Sequence, residues 1–287
     1  GRRWWQRRRP VAAAAGEDPL RAVRSLTWMV ANKKGGAGKT PLSVVLAAAC
    51  ASVRPHDVAL VDINPVGNLA LRAGTPDGAR TVTEVAEWLA TLDRVPYEAE
   101  LFDGAGWQEP GGWRAITSRT SVVVADESKA ATLAAPLTEA QLERVLAALA
   151  VATRVVGIDA GNDHGTQVWQ TAASHADVLL VPVKLTPDTC VAAGEMLADL
   201  QKLGHADLVA RRTLIVATKG PADVVDAKQA KAFRDYFVRQ GYQVLDLPTD
   251  PELAGKTTIR WDRLRPATRE AGLAIARAAA RLADGRV

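Results

Sequence analysis

The sequence predicts an α/β fold in which a doubly wound, mostly parallel sheet is flanked by helices. Short apolar runs alternate with segments of helical character along the chain, as expected for strands that are buried on both faces. A glycine-rich stretch joins the first apolar run to the first helical segment. Polar residues follow the ends of later apolar runs, where ligand sites form in sheets of this kind.

The elements follow one another in a regular order. The predicted strands are Leu26–Ala31, Asp57–Val61, Ser121–Val124, Thr153–Ile158, Asp177–Val183, Thr213–Ala217 and Tyr242–Leu247. The predicted helices are Pro41–Ser52, Thr81–Leu92, Pro136–Ala150, Asp188–Leu203, Ala227–Arg239 and Pro266–Leu282. Thr81 with Glu84, and Thr138 with Gln141, match the capping box that begins a helix. Residues 93–119 are predicted to be irregular, and their Trp107 and Trp113 either cover a core edge or form a partner surface.

The stretch Lys34-Gly35-Gly36-Ala37-Gly38-Lys39-Thr40 lies between the first strand and the first helix. Glycines allow the loop to curl so that its backbone N–H groups point inward. The following helix, which begins near Pro41, adds the positive end of its dipole. Lys39 is expected to meet the β- and γ-phosphates, and the Thr40 hydroxyl is expected to hold Mg²⁺. The sequence therefore predicts a nucleotide site from Lys34 to Pro41.

The start of this loop departs from the usual pattern. Lys33 stands where the first glycine is expected, and Lys34 precedes the Gly-Gly pair. KGGAGKT resembles the deviant phosphate loop of the ParA/MinD family of ATPases, and the order of later elements agrees from about Ser25 onward. The resemblance implies an ATP-dependent homodimer in which Lys34 reaches the partner's nucleotide.

A polar stretch, Asp62-Ile63-Asn64-Pro65-Val66-Gly67-Asn68, follows the second strand. An ordinary Asx/Pro turn is the alternative interpretation. The ParA/MinD family has D-x-D-P-x-G-N here, which implies a place for Asp62 in the Mg²⁺ shell. Asn64 replaces the second Asp, which orients the attacking water in that family. Because Asn cannot accept the proton of that water, the candidate catalytic set of Lys34, Asp62 and Asn64 predicts slow hydrolysis with ATP binding intact.

Asp159 follows the strand Thr153–Ile158 and resembles the Walker B residue of the family. With Thr40 and Asp62 it forms the predicted Mg²⁺ set, because this ion prefers oxygen ligands. Asp163 and His164 follow on a loop. His164 is a weaker candidate base, since an exposed loop histidine is more often ordinary polar surface.

Thr218 and Lys219 follow the strand Thr213–Ala217, where the family places its base-recognition residues. Related GTPases carry Thr-Lys-x-Asp at this location. Pro221 stands at the fourth position here, so the carboxylate that would read guanine is missing and adenine is favoured. Lys219 either lies against the base or only solvates the turn.

The net charge of +4 is distributed unevenly. Residues 1–24 and residues 255–287 are each strongly basic, and the middle of the chain is acidic. Residues 1–20 are predicted to be an arm outside a domain that spans 21–287. The arginines and tryptophans of residues 1–10 suit anionic lipid or nucleic acid, with a solvated tail as the alternative.

A second basic cluster precedes the last helix and contains Lys256, Arg260, Arg263 and Arg265. Members of the ParA branch bind DNA through basic residues on late elements, so this cluster is a candidate nucleic-acid surface. A solvated basic surface is the alternative. The last helix lacks the bulky apolar residues of the membrane-inserting helix in the MinD branch.

The composition indicates a cytoplasmic protein with a substantial core. The chain is 48% apolar and contains two cysteines in apolar contexts, as expected in a reducing compartment. No apolar run approaches the roughly 20 residues that span a bilayer, and the first residues lack the apolar region of a secretory signal.

Three classes of function are compatible with these features. The leading hypothesis is an ATP·Mg²⁺-dependent dimer that controls attachment to DNA or a protein partner, as in partitioning and positioning of cargo. The alternative is a nucleotide-clamped accessory protein that barely hydrolyses ATP, since residues 54–65 also resemble actinobacterial relatives that accompany type VII secretion. A metabolic amidoligase or synthetase is the third class, but no second substrate pocket is evident from the sequence.

Overall fold

The computed structural model describes residues 17–118, 136–162, 164–220, 223 and 225–285. Within these residues, seven parallel strands form one sheet in the order β3-β2-β4-β1-β5-β6-β7. The strands are β1 Leu26–Val30, β2 Val58–Asp62, β3 Arg114–Ile116, β4 Val155–Asp159, β5 Val178–Val183, β6 Thr213–Thr218 and β7 Gln243–Leu247. The predicted α/β fold with a parallel sheet is therefore confirmed.

Helices connect the strands and cover both faces of the sheet. They are α1 Pro19–Ala22, α2 Lys39–Val53, α3 Leu69–Ala73, α4 Val82–Ala90, α5 Glu98–Leu101, α6 Glu139–Ala152, α7 Gln167–His175, α8 Pro187–Lys202, α9 Ala206–Arg211, α10 Ala227–Arg239, α11 Pro251–Ala254 and α12 Pro266–Ala283. A short 3-10 helix, Trp261–Arg263, precedes α12. Thr81 and Thr138 form the predicted capping boxes with Glu84 and Gln141.

Alternation along the strands divides the core into two layers. Trp28 and Val30 of β1 face the layer built with α2 and α12, whereas Met29 faces the layer built with α4, α6 and α8. Successive side chains of a strand point to opposite faces, so a strand covered on both sides must be apolar throughout. This requirement accounts for the uninterrupted apolar runs in the sequence.

Small residues let large elements approach closely. A Cβ atom at Gly157 of β4 would lie 2.2 Å from the ring of Trp28, so only glycine leaves room for this buried indole. A Cβ atom at Gly272 of α12 would lie 2.7 Å from the Val45 side chain of α2. The alanine-rich character of α12 therefore reflects close packing against α2 rather than a lack of core.

The prediction for residues 93–119 was wrong in part, and the strand predicted directly after them cannot be compared with the structure. Residues 93–119 were expected to be irregular, but they contain α5 and the edge strand β3. Trp113 is buried in the core, and Trp107 is about half exposed. The predicted strand Ser121–Val124 lies outside the described residues.

The described chain begins inside the predicted arm. Asp18 accepts hydrogen bonds from the guanidinium of Arg277 on α12, with a shortest distance of 2.8 Å, and Leu20 is fully buried. The last residues of the segment 1–20 therefore pack with the domain. Residues 1–16 lie outside the described residues. Within the described ranges, no helix has the length and apolar character needed to cross a membrane.

Candidate nucleotide site

The glycine-rich loop leaves β1 and turns directly into α2. Gly36 and Gly38 have φ angles of 74° and 93°, in the left-handed region that disfavours residues with a Cβ. Gly38 is the N-cap residue of α2 and has no side chain that could cap the helix. The first N–H groups of a helix have no acceptor within the helix, so this terminus and the glycine loop form a cradle suited to an anion.

Lys39 is buried at the start of α2, and its ammonium group has three acceptors. Nζ donates to the main-chain oxygens of Asn32 and Lys34, each at 3.1 Å, and to Oδ1 of Asn162. Burial lowers the pKa of Lys39, and the nearby carboxylate of Asp159 opposes that shift. The loop therefore holds a desolvated cation beside the anion cradle.

Asp159 ends β4 and binds the first turn of α2. Its two carboxylate oxygens accept hydrogen bonds from Thr40 Oγ1 at 2.8 Å and from Ser43 Oγ at 2.9 Å. The pairing works because residues 40 and 43 lie on the same face of the helix. The structure thus brings together the predicted Walker B residue and the predicted metal-binding hydroxyl.

Asp62 lies beside Asp159, because the two residues are register partners at the carboxyl ends of β2 and β4. Both side chains are almost completely buried. Burial, and then the charge of Asp159, raise the pKa of Asp62, although Asn64 N and Ser118 Oγ donate to its oxygens at 2.8 and 2.9 Å. Burial also raises the pKa of Asp159, against the opposing effects of Thr40, Ser43 and Lys39. Two buried carboxyl groups on neighbouring strand ends form a place that favours a cation.

The donor set fits Mg²⁺ bound together with phosphate. Mg²⁺ sites typically use one or two carboxylates plus phosphate oxygens and water, rather than a cage made only by the protein. The described residues contain no group of three or more His, Cys, Asp or Glu side chains that could hold a metal ion. Thr40, Asp62 and Asp159 match the first arrangement, and the adjoining glycine loop would receive the phosphates.

Asn64 lies in the turn that follows β2. Its Oδ1 accepts a hydrogen bond from Val66 N at 3.3 Å, and its main-chain oxygen accepts one from Ser118 Oγ at 2.6 Å. A Cβ atom at Gly161 would lie 3.1 Å from Asn64 Oδ1, so this side chain also touches the loop after β4. The sequence Asp62–Asn68 therefore forms an Asx turn and, in addition, connects the two loops that carry the candidate metal ligands.

Lys33 and Lys34 both contact α8. Lys34 Nζ lies 3.6 Å from Asp188 Oδ2, and Lys33 Nζ lies 2.9 Å from Glu195 Oε2. The side chains of Lys34 and Asp188 are each about half exposed. Exposed ion pairs of this kind contribute little free energy, about 0–1 kcal/mol, so Lys34 can exchange Asp188 for another anion at little cost.

A cleft beside the loop joins the predicted phosphate and base residues. Thr218, at the end of β6, donates from Oγ1 to Ala37 O at 3.0 Å and packs against Gly38. The cleft is lined by Gly36, Gly38, Pro41, Lys184, Thr218, Lys219, Gly220, Leu247, Pro248, Asp250, Leu253 and Ala254. Its mixed apolar and polar wall suits a nucleotide base.

One carboxylate near this cleft was not foreseen from the sequence. Lys184 Nζ donates to Asp223 Oδ1 at 2.9 Å, and Gly220 N donates to Asp223 Oδ2. Both oxygens are thus engaged within the protein, and the pKa of Asp223 is lowered although its burial opposes the shift. Pro221, which replaces the guanine-reading carboxylate, lies outside the described residues.

His164, the weaker candidate base, is bound to α8. Its Nε2 lies 3.0 Å from Asp199 Oδ2, and its ring makes an edge contact with Trp169. These contacts explain its place without a catalytic role. Asp163 lies outside the described residues.

The predicted nucleic-acid cluster is solvent-exposed, as its four members, Lys256, Arg260, Arg263 and Arg265, are all exposed. Arg260 is partly neutralised by Asp262, at 3.2 Å. The chain around Lys256, the first member of the cluster, is fixed to α3 by the buried Arg72, whose guanidinium donates to the main-chain oxygens of Leu253, Gly255 and Thr257. The cluster is therefore connected to the helix that follows the Asn64 turn.

Sequence reasoning missed several polar residues of this site. Ser43 could have been found from its helical spacing to Thr40. Asn32, which accepts from Lys34 N and donates to Pro182 O, offered only its position before the loop. Asn162 and Lys184 had no local signal, because their partners are far away in sequence.

A parallel sheet, a glycine loop after its first strand and paired carboxylates at the ends of β2 and β4 define a P-loop nucleotide-binding protein. The family model "CobQ/CobB/MinD/ParA nucleotide binding domain" matches residues 28–259, and the chain belongs to this family. The expected ParA/MinD relationship is thereby confirmed. No curated protein matches the sequence.

Solved structures share this fold over most of their length. A ParA family ATPase from Chlorobium tepidum TLS has 16% identity and a TM-score of 0.65, covering 88% of this chain and 97% of its own. The MinD cell division protein of Aquifex aeolicus has 18% identity and a TM-score of 0.59, with coverage of 88% and 96%. Cobyrinic acid a,c-diamide synthase from Mycobacterium smegmatis, solved with ADP and magnesium, has 22% identity and a TM-score of 0.57, with coverage of 90% and 94%. The fold thus serves both ATPases and a synthase, so function must be argued from the site.

Proposed function

We propose that the protein binds ATP with Mg²⁺, dimerises around the nucleotide, and thereby controls its attachment to DNA or to a protein partner in the cytoplasm. One observation carries this proposal: the deviant glycine loop places Lys39 and Thr40 directly beside the buried pair Asp62 and Asp159. The loop N–H groups and Lys39 would bind phosphate. Thr40 and the two carboxylates would hold Mg²⁺, which would neutralise charge on the phosphates.

Adenine is the proposed base. The cleft offers Thr218 and Lys219 beside apolar side chains, and the nearby carboxylate of Asp223 already accepts from Lys184 and Gly220 N. A carboxylate with both oxygens engaged is poorly available to a guanine edge, which presents two donors. Adenine needs no such acceptor pair.

Dimerisation is proposed to depend on Lys34. The lysine side chain is half exposed, and within the described residues its ammonium group has a long ion pair with Asp188. An ATP phosphate of a second copy would offer a more highly charged partner than one carboxylate. Lys33, which makes a shorter ion pair with Glu195, is a matched control because it is adjacent in sequence but outside the resembling motif.

Hydrolysis is proposed to be slow. Asn64 lies in the turn after Asp62 and touches the loop after Asp159, and its amide has no proton affinity near neutral pH. An accessory role in a secretion system, with hardly any turnover, is the alternative that this residue favours. In both cases the nucleotide would act mainly as a switch.

The exposed basic cluster is the proposed attachment surface. The exposed residues Lys256, Arg260, Arg263 and Arg265 follow Leu253 and Ala254, which line the cleft, on a segment that Arg72 joins to α3. Non-specific DNA is the expected polyanion, because exposed lysine and arginine side chains bind phosphates regardless of sequence. Residues 1–10 are a second candidate contact, for an anionic membrane surface.

Isothermal titration calorimetry with ATP and Mg²⁺ tests the nucleotide assignment. Lys39→Ala removes the ammonium while leaving the backbone cradle, and we expect its ATP affinity to fall at least tenfold. A variant that binds ATP as tightly as wild type would refute the assignment.

Measuring ATPase rates with and without DNA then separates the partition-type function from the secretion-associated alternative, since only the former should respond to DNA.

A further inference from the structure

The ammonium group of Lys39 uses all of its hydrogen-bonding capacity within the protein. A lysine ammonium has three N–H donors, and Nζ has three acceptors, namely Asn32 O, Lys34 O and Asn162 Oδ1. A phosphate that binds Lys39 must therefore displace at least one of them. Which acceptor is displaced decides how nucleotide binding affects the rest of the site.

Asn162 differs from the other two acceptors. The oxygens of Asn32 and Lys34 belong to the main chain that forms the glycine loop itself, so they cannot move without reshaping the loop. Asn162 is a side chain on a different loop, between β4 and α7, and it is exposed. It also lies across the glycine loop, because a Cβ atom at Gly35 would be 3.7 Å from its Nδ2. A change of rotamer is enough to release it.

We propose that Asn162 is a positioning residue for Lys39. Its amide oxygen accepts the Lys39 N–H that the terminal phosphate of a nucleoside triphosphate takes over when it binds. This inference rests on the proposed nucleotide function. ATP must displace the amide oxygen to reach Lys39 with its γ-phosphate. ADP offers Lys39 only its β-phosphate, whereas ATP offers the β- and γ-phosphates, so Asn162 keeps more of its bond when ADP is bound. Asn162 therefore reduces the preference for ATP over ADP and makes the loop after β4 responsive to which nucleotide is bound.

The affinity of three variants for ATP and for ADP tests this inference. Asn162→Ala removes the competing acceptor, and we expect ATP to bind about tenfold more tightly while ADP affinity changes less than threefold. A hydrogen bond to a charged group typically accounts for a factor of about ten or more. Asn162→Asp retains an acceptor and adds charge, so it should bind ATP at least tenfold more weakly. His164→Ala, on the same loop but bound to Asp199, should keep the wild-type ratio.

The signs of these effects separate competition from a structural role. If Asn162→Ala and Asn162→Asp both weaken ATP binding, or if His164→Ala shifts the ratio equally, Asn162 does not compete with ATP and the inference is wrong. An unchanged ATP-to-ADP ratio in Asn162→Ala also overturns it. Wild-type protein that binds neither nucleotide would overturn the proposed function itself, which is a different result.

A double-mutant cycle tests the Lys39–Asn162 bond without any ligand. Urea unfolding is measured for wild type, Asn162→Ala, Lys39→Met and the double variant in the absence of nucleotide. We expect a coupling equivalent to about a tenfold change in the unfolding equilibrium, matching the gain in ATP affinity, because the same bond is lost in both experiments. Coupling within error of zero would mean that the bond does not compete, and the inference would fail.

Discussion

Replacing Asp62 by Asn should stabilise the protein in the absence of Mg²⁺ and nucleotide. Asp62 is buried against Asp159, and burial followed by that neighbouring charge raises its pKa. Asn preserves the shape and can still accept the hydrogen bond that Asn64 N donates to Oδ1. The variant therefore removes a group that must either bind a proton or carry an uncompensated charge.

The expected gain depends on pH in a defined direction. The unfolded carboxyl group ionises near pH 4, whereas the folded group retains its proton to higher pH. Wild-type stability should consequently fall as pH rises above 4 and level off once the folded group ionises. Each unit of a raised pKa corresponds to about 1.4 kcal/mol. The raised pKa already includes the two hydrogen bonds that favour the ionised form, and we expect a gain on the order of a few kcal/mol at pH 8 and almost none at pH 4.

The measurement is urea unfolding at both pH values, with and without ATP·Mg²⁺. A ligand whose free concentration is 100 times its dissociation constant stabilises the folded state by about 2.7 kcal/mol. Asp62→Asn should lose most of this stabilisation by ATP·Mg²⁺. Asp177→Asn is the control, because burial also raises the pKa of Asp177, which binds Thr27 N away from the nucleotide site. This control should keep the stabilisation by ATP·Mg²⁺. If Asp62→Asn destabilises the protein at pH 8, or gains equally at pH 4, the raised pKa of Asp62 is wrong, and if the variant keeps the stabilisation by ATP·Mg²⁺, the cation site is misassigned.

Three further predictions address hydrolysis, attachment and packing. Asn64→Asp should raise the basal ATPase rate, by up to about 10²-fold, with ATP affinity nearly unchanged. If wild type already hydrolyses ATP quickly and Asn64→Asp is no faster, another residue supplies the function, and Asp163 would be tested first. Replacing Arg260, Arg263 and Arg265 by Ala should reduce the steepness of log DNA affinity against log salt concentration by about 2–3. An unchanged slope would mean that the cluster is only a solvated surface. Gly157→Ala should cost about 2–3 kcal/mol of unfolding free energy because its Cβ meets the Trp28 ring, whereas Gly194→Ala, in open space on a helix, should be neutral or stabilising.

Much of the site could be predicted because its signals are local. The loop from Lys34 to Thr40 carries its own glycines, and Asp62 and Asp159 directly end apolar strands. Parallel strands bring their carboxyl ends to one edge, so these residues were expected to meet. Asp62 and Asp159 are register partners because β2 and β4 are neighbours in the sheet.

The missed features depend on contacts between distant segments. Strand β3 has only three residues, too few for a periodic signal, and its place at the sheet edge comes from pairing with β2. Asn162 meets Lys39 across 123 positions of sequence. Arg72 binds main-chain oxygens more than 180 positions away. Nothing in the neighbouring sequence specifies such partners, so only the folded chain reveals them.

The central claim is that ATP assembles two copies of this chain through Lys34. Multi-angle light scattering with ATP and Mg²⁺ tests it on wild type, Lys34→Ala and the control Lys33→Ala. We expect a dimer for wild type and for Lys33→Ala, and a monomer for Lys34→Ala that still binds ATP by calorimetry. A wild type that binds ATP but remains monomeric, or a Lys34→Ala variant that dimerises as readily as wild type, would contradict the account.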